Sequence, residues 1–68
     1  MPNRRKVVVY GASGHGKVVA DLVQMNPGFN LIGFLDDGVP VGPGPLGFRV
    51  LGGGEWLDAP EASGVEVA

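Results

Sequence analysis

The feature of this 68-residue sequence that most constrains its fold is a glycine-rich turn directly after a run of β-branched residues. The predicted strand is Lys6-Val7-Val8-Val9-Tyr10, and the turn reads Gly11-Ala12-Ser13-Gly14-His15-Gly16. A short continuous apolar run is typical of a strand buried on both faces of a parallel sheet. Beyond the turn, apolar residues recur at helical spacing and predict an apolar stripe on a helix of about ten residues: Val18, Val19, Leu22 and Val23.

The rest of the chain predicts three further strand segments. Residues 30–35 form a second strand-like run ending in Asp36-Asp37-Gly38, so the first half of the chain is a βαβ unit with parallel strands. Residues 38–47 are mostly Gly and Pro, which predicts a loop without regular hydrogen bonding. We expect a short edge strand at 48–51, a helical turn at 55–58 and the start of a third strand at 64–68.

These elements predict an α/β fold, a partial Rossmann-like parallel sheet. A sheet that ends in its third strand would be incomplete. We therefore expect residues 1–68 to be the N-terminal part of a larger nucleotide-binding domain.

Composition removes several classes of protein. The chain has no cysteine, which excludes disulfides and thiolate metal sites, and no apolar run long enough for a membrane span or signal peptide. Its net charge is −2, and the basic residues 4–6 are typical of a solvated chain end rather than a nucleic-acid site. We therefore expect a cytoplasmic protein with no nucleic-acid partner, no membrane insertion and no metal site.

The glycine turn predicts a phosphate site. Gly11, Gly14 and Gly16 allow a sharp turn and close approach of the backbone to a ligand, and the helix behind them presents unpaired N–H groups. Such a turn between a buried parallel strand and a helix favours a phosphate or pyrophosphate.

The turn alone leaves the ligand open. Gly11 and Gly16 fit the dinucleotide fingerprint G-x-G-x-x-G, but Ser13 replaces its middle glycine. The P-loop pattern fits through Lys17, but Val18 replaces the hydroxyl that would hold magnesium. The G-x-S-x-G nucleophile elbow fails at His15. A fragment of an NAD(P)-binding oxidoreductase therefore remains one alternative, and a non-enzymatic α/β module that self-associates through its sheet edge is another.

A third interpretation comes from resemblance. Residues 10–21, 32–37 and 50–53 together resemble the N-terminal domain of the sugar O-acyltransferases identified as sialic acid O-acetyltransferases. That family includes bacterial nucleotide-amino-sugar N-acetyltransferases of surface-glycan pathways. The resemblance implies a Rossmann-like domain that holds a UDP-linked sugar. In the full enzymes a left-handed β-helix follows, which binds acetyl-CoA and forms trimers.

The resemblance also assigns site residues. The family's glycine-loop contacts fall on Ser13, Gly14 and His15, within the turn shaped by Gly11 and Gly16, and its acidic pair falls on Asp36 and Asp37. Carboxylates after the second strand of such folds accept hydrogen bonds from a ribose or a base edge.

The resemblance places the catalytic base and the acetyl-CoA site in the β-helix, outside these 68 residues. We therefore expect this chain to carry no catalytic residue and no cofactor of its own. We expect it to bind a UDP-linked sugar as part of an acetyl-CoA-dependent, homo-oligomeric sugar acetyltransferase.

Overall fold

A computed structural model describes residues 4–68; residues 1–3, with which the predicted domain begins, lie outside the described residues. The strands are β1 (Arg5–Tyr10), β2 (Phe29–Leu35), β3 (Gly42–Pro43), β4 (Arg49–Gly52) and β5 (Glu66–Val67), and the helix is α1 (Gly14–Gln24). Three short 3-10 turns occupy Pro45–Gly47, Gly54–Asp58 and Pro60–Ala62. The predicted α/β class is confirmed, as are the first two strands, the helix between them and the turn near Trp56.

The strands form one sheet in the order β3-β4-β2-β1-β5. All neighbours are parallel except β3, which runs antiparallel to β4. The chain places β2 and β4 on one side of β1 and then returns to its other side with β5. In Rossmann-like folds, ligands bind at the carboxyl edge of the sheet beside such a change of direction.

The pairing of β1 with β2 contains a bulge. Val7 pairs with Leu31 and Val8 pairs with Gly33, so Ile32 is an additional residue in β2. Side chains of a strand alternate between its two faces, and one inserted residue reverses that alternation for every later position. Leu31 and Phe34 consequently share a face, although three positions separate them.

The main core lies between α1 and one face of the sheet. Phe34 has no exposed surface and meets Phe48 edge to face, with ring centroids 6.5 Å apart at 73°. The other members of this cluster are Val7, Val9, Ala20, Val23, Leu31 and Val50. Val8 and Leu35 are fully buried outside this cluster.

The helix buries only part of the predicted apolar stripe. Val18 and Leu22 are 58% and 62% exposed, whereas Gly16, Ala20 and Val23 are buried. The predicted stripe is therefore confirmed at Val23, which is buried, and at Val19, which packs against the core, and it is wrong at Val18 and Leu22. Small residues at 16 and 20 let the helix approach the sheet more closely than the larger apolar residues would.

The segment after β2 also differs from prediction. Residues 38–47 contain β3 and a 3-10 turn instead of an entirely irregular loop. The strand predicted at the edge, now β4, lies between β2 and β3, because Gly42 and Pro43 pair with Val50 and Arg49. The predicted third strand is present as β5, beside β1. Within residues 4–68 no helix has the length and apolarity needed to cross a membrane.

Candidate functional site

The predicted site residues gather at the carboxyl edge of the sheet. The glycine loop, Gly11–Gly16, connects β1 to α1, and Asp36 and Asp37 follow β2 directly. A third segment joins them there: the β4 turn, which we define as residues 53–55. The ends of three parallel strands therefore form one site.

The glycine loop is fixed by backbone contacts. Gly11 has φ +110°, in the left-handed region that favours glycine, and its N–H donates to the carbonyl oxygen of Leu35 at 2.6 Å. Gly16 lies directly against the carbonyl group of Gly11, so that a Cβ at residue 16 would overlap that oxygen. Both glycines therefore have a structural reason to be glycine.

The first turn of α1 offers free donors to a ligand. Ser13 is the N-cap residue, with an extended backbone, and its hydroxyl makes no capping hydrogen bond. The helical bonding begins with the Lys17 N–H, which donates to the Ser13 carbonyl at 3.0 Å, so the N–H groups of Gly14, His15 and Gly16 precede it. Residues 13–15 are exposed, and a Cβ at Gly14 would meet nothing across the loop within 4 Å.

Asp36 holds the glycine loop. Its Oδ2 accepts a hydrogen bond from the Ala12 N–H at 2.8 Å, and its Oδ1 accepts one from the Gly38 N–H at 2.8 Å. These two donors, with Ala12 contributing more, hold the pKa of the Asp36 carboxyl below its ordinary value. The carboxylate thus connects the end of β2 to the loop that would carry the phosphate.

Asp37 bonds to different partners. Its Oδ1 accepts from the Gly54 N–H at 2.8 Å, and its Oδ2 accepts from the Tyr10 hydroxyl at 2.7 Å. The Gly54 bond first, and the Tyr10 bond second, hold the pKa of Asp37 below its ordinary value. The same bond to Asp37 raises the pKa of the Tyr10 hydroxyl. The two adjacent acids therefore connect two different loops to β2.

Sequence reasoning missed the β4 turn and Tyr10. In that turn Glu55 Oε1 accepts a hydrogen bond from the Gly53 N–H at 3.0 Å. The available signal was the run Gly52-Gly53-Gly54 directly after the strand predicted at 48–51. The structure makes that strand parallel to β2, and parallel strands end at the same edge. Tyr10 carried a weaker signal, as the last strand residue before the loop.

The arrangement separates donors from acceptors. The start of α1 presents N–H groups and the positive end of the helix dipole, which attract an anion. The ends of β2 and β4 present carboxylates, which repel a phosphate and accept hydrogen bonds from neutral donors. Among residues 4–68, no group of three or more His, Asp or Glu side chains is arranged to hold a metal ion.

A protein-family model matches most of the chain. The family model described as the PglD N-terminal domain matches residues 6–68. The matched range contains the whole glycine loop, both acids and the β4 turn. No curated protein and no solved structure matches the chain.

Proposed function

The chain belongs to the PglD N-terminal domain family of sugar acetyltransferases, and we propose that it binds the sugar substrate as a UDP-linked amino sugar. The diphosphate lies over the glycine loop, the nucleoside reaches toward the end of β2, and the sugar is presented to the acetyl donor. Family membership supplies the reaction class, and the local geometry supports the nucleotide.

The proposal depends mainly on the N–H groups at the start of α1, which precede the first hydrogen bond of the helix. The N–H groups of Gly14 and His15 precede the first hydrogen bond of the helix, and both residues are exposed, three and four positions after the left-handed Gly11. Such a terminus favours an anion through both hydrogen bonding and the helix dipole. The Ser13 hydroxyl makes no capping bond and is available to a phosphate oxygen.

The acids support a nucleoside beside that phosphate. Each carboxylate oxygen of Asp36 and Asp37 accepts one bond from the protein and has a second lone pair. Ribose hydroxyls and the imide N–H of uracil are donors of the kind these lone pairs accept. We place the two acids at the nucleoside and the helix start at the diphosphate.

His15 is placed at the diphosphate or the sugar. Its side chain is exposed on the first turn of α1, immediately after Gly14. An imidazole N–H there can donate a hydrogen bond to a phosphate or sugar oxygen.

The proposal gives the other half of the reaction to another domain. Acetyl-CoA and the base that acts on the sugar acceptor belong to a β-helix domain, which also forms the trimer. The residues described above would then determine which sugar nucleotide reaches that centre and how it is oriented.

The test is isothermal titration calorimetry of the protein with UDP and with a UDP-linked amino sugar. We expect both to bind, and Asp37→Ala to weaken binding about tenfold through loss of a hydrogen-bond acceptor. Asp58→Ala, an exposed acid outside the site, is the matched control and should bind as the unmodified protein does. Absence of heat at millimolar UDP, with enhanced NADH fluorescence on addition of protein, would instead support the dinucleotide alternative.

A further inference from the structure

Tyr10 ends β1 at the carboxyl edge, immediately before the glycine loop. Val7 and Val9 pack in the core under α1, whereas Val8 is buried outside that cluster. By alternation along the strand, Tyr10 shares the face of Val8, opposite the helix. Its side chain is 41% exposed.

The Tyr10 side chain contacts both of the other segments at this edge. Its hydroxyl donates to Asp37 at 2.7 Å, and the hydroxyl oxygen would lie 2.8 Å from a Cβ placed on Gly54. The Gly54 N–H donates to the same carboxylate at 2.8 Å. One side chain of β1 therefore packs on the β4 turn and bonds the acid that holds that turn.

We infer that Tyr10 is a positioning residue of the proposed UDP-sugar site, which holds the Asp37 carboxylate against Gly54 and so fixes the β4 turn beside the glycine loop. The role of Tyr10 in ligand binding rests on the proposed function. The hydrogen bond between Tyr10 and Asp37 is present without a ligand.

The reason lies in how the two oxygens of Asp37 are used. The Gly54 N–H alone fixes one oxygen and leaves the carboxylate free to rotate about its last bond. The Tyr10 hydroxyl fixes the second oxygen and therefore the direction of the remaining lone pairs. Asp36 is held by two backbone N–H groups, so its orientation does not depend on Tyr10.

The test is Tyr10→Phe, which removes the hydroxyl and keeps the ring. Without ligand, carbon NMR titration should show the Asp37 pKa rising toward its ordinary value, because a bond that lowers it is lost. The Asp36 pKa should not change. The Gly54 amide should exchange with solvent faster, while the Ala12 amide exchanges as before.

With ligand, we expect Tyr10→Phe to raise the UDP dissociation constant about tenfold. Asp37→Asn should weaken UDP binding by a similar factor. The double variant should bind little more weakly than either single variant, because both substitutions act on the same Tyr10–Asp37 hydrogen bond. Asp58→Asn serves as the control that leaves binding and the Gly54 amide unchanged.

These measurements test the positioning role of Tyr10 separately from UDP binding. An unchanged Asp37 pKa and an unchanged Gly54 exchange rate in Tyr10→Phe would overturn the inference, whether or not UDP binds. A shifted Asp37 pKa with unaltered UDP affinity would also overturn it, because the contact would then have no part in the site. Failure of the unmodified protein to bind UDP would overturn the proposed function and leave the ligand-free measurements to decide whether Tyr10 positions Asp37 and the β4 turn.

Discussion

The backbone of Gly16 lies in direct contact with the carbonyl group of Gly11, so that helix α1 begins against the end of strand β1 with no side chain between them. This contact places the start of the helix at the carboxyl edge of the sheet. Gly16 and Ala20 face the core there, while Val18 and Leu22 are exposed.

Gly16→Ala should destabilise the fold. The new Cβ would overlap the Gly11 carbonyl oxygen, and backbone has to move to relieve the overlap. We expect a loss of roughly 1–3 kcal/mol in the free energy of unfolding, measured by urea titration. Gly14→Ala is the matched control, since its Cβ meets nothing across the loop and alanine favours a helix. Equal stabilities for the two variants would contradict the contact.

Gly14→Ala should weaken ligand binding without loss of stability. Its Cβ would project into the open space above the glycine loop, where the proposed diphosphate lies. We expect the affinity for UDP to fall about tenfold, a cost of about 1.4 kcal/mol, by calorimetry. A variant that binds UDP as tightly as the unmodified protein would show that the phosphates do not approach Gly14.

The stability of the fold should fall in acid through the two carboxylates of the site. Hydrogen bonds to the folded protein hold the pKa values of Asp36 and Asp37 below their ordinary range. Their contribution to the free energy of unfolding is therefore complete above about pH 4. It is lost as the pH falls through the folded-state pKa values of the two carboxyls. Urea titrations across this range should show it, and Asp36→Asn should flatten the dependence. A curve of the same slope in Asp36→Asn would mean that other acids cause it.

A second loss of stability is expected in alkali. The bond to Asp37 raises the pKa of Tyr10. The contribution of this bond to the free energy of unfolding is therefore present below about pH 10 and is lost as the pH rises through the folded-state pKa of Tyr10. Tyr10 is the only tyrosine in the chain, so tyrosinate absorbance reports on it alone. The midpoint of the tyrosinate titration should lie higher in the folded protein than in urea, and Asp37→Asn should bring the two midpoints closer, since the bond to Asp37 is the largest of the causes that raise the Tyr10 pKa. Coincident midpoints in the unmodified protein would show that the hydroxyl is not bonded to Asp37.

The β5 edge of the sheet should pair with a second copy of the chain. Val67 is 49% exposed beside a groove of about 440 Å³, lined by Val7, Val23, Phe29, Glu66, Val67 and Ala68. Exposed strand edges with apolar side chains favour association. We expect a dimer or larger species by light scattering, and Val67→Lys should shift it toward monomer. A concentration-independent monomer of the unmodified protein would contradict this prediction.

Local patterns predicted the first half of the fold well. The apolar run of β1, the glycine turn and the second run at β2 each lie within one segment, and parallel pairing follows from the βαβ connection. The buried face of α1 was predicted only in part: Val19 and Val23 pack toward the core as expected, whereas close packing selects Gly16 and Ala20 over Val18 and Leu22. The strand β3 carries no strand signal in its Gly-Pro sequence and forms only by pairing with β4.

The site was predictable in outline only. The strand-end rule brings the glycine loop near Asp36 and Asp37, as the structure shows. Which acid holds which loop depends on contacts between distant segments, so the partnership of Tyr10, Asp37 and Gly54 could not be derived from local sequence. Binding of a UDP-linked sugar by these residues stays a prediction.

Ile32, the inserted residue of β2, has a consequence for the chemistry of the site. Because the insertion reverses the alternation, Phe34 faces the helix and Leu35 faces away from it. The acids that follow continue this order: Asp36 bonds the glycine loop and Asp37 bonds Tyr10 on the other side. These two neighbouring aspartates have different partners because side chains alternate between the faces of β2 and the insertion sets which face each one occupies. Without this inserted residue, regular alternation along β2 would place Phe34, Asp36 and Asp37 each on the opposite face, so the core and the partners of both acids depend on it.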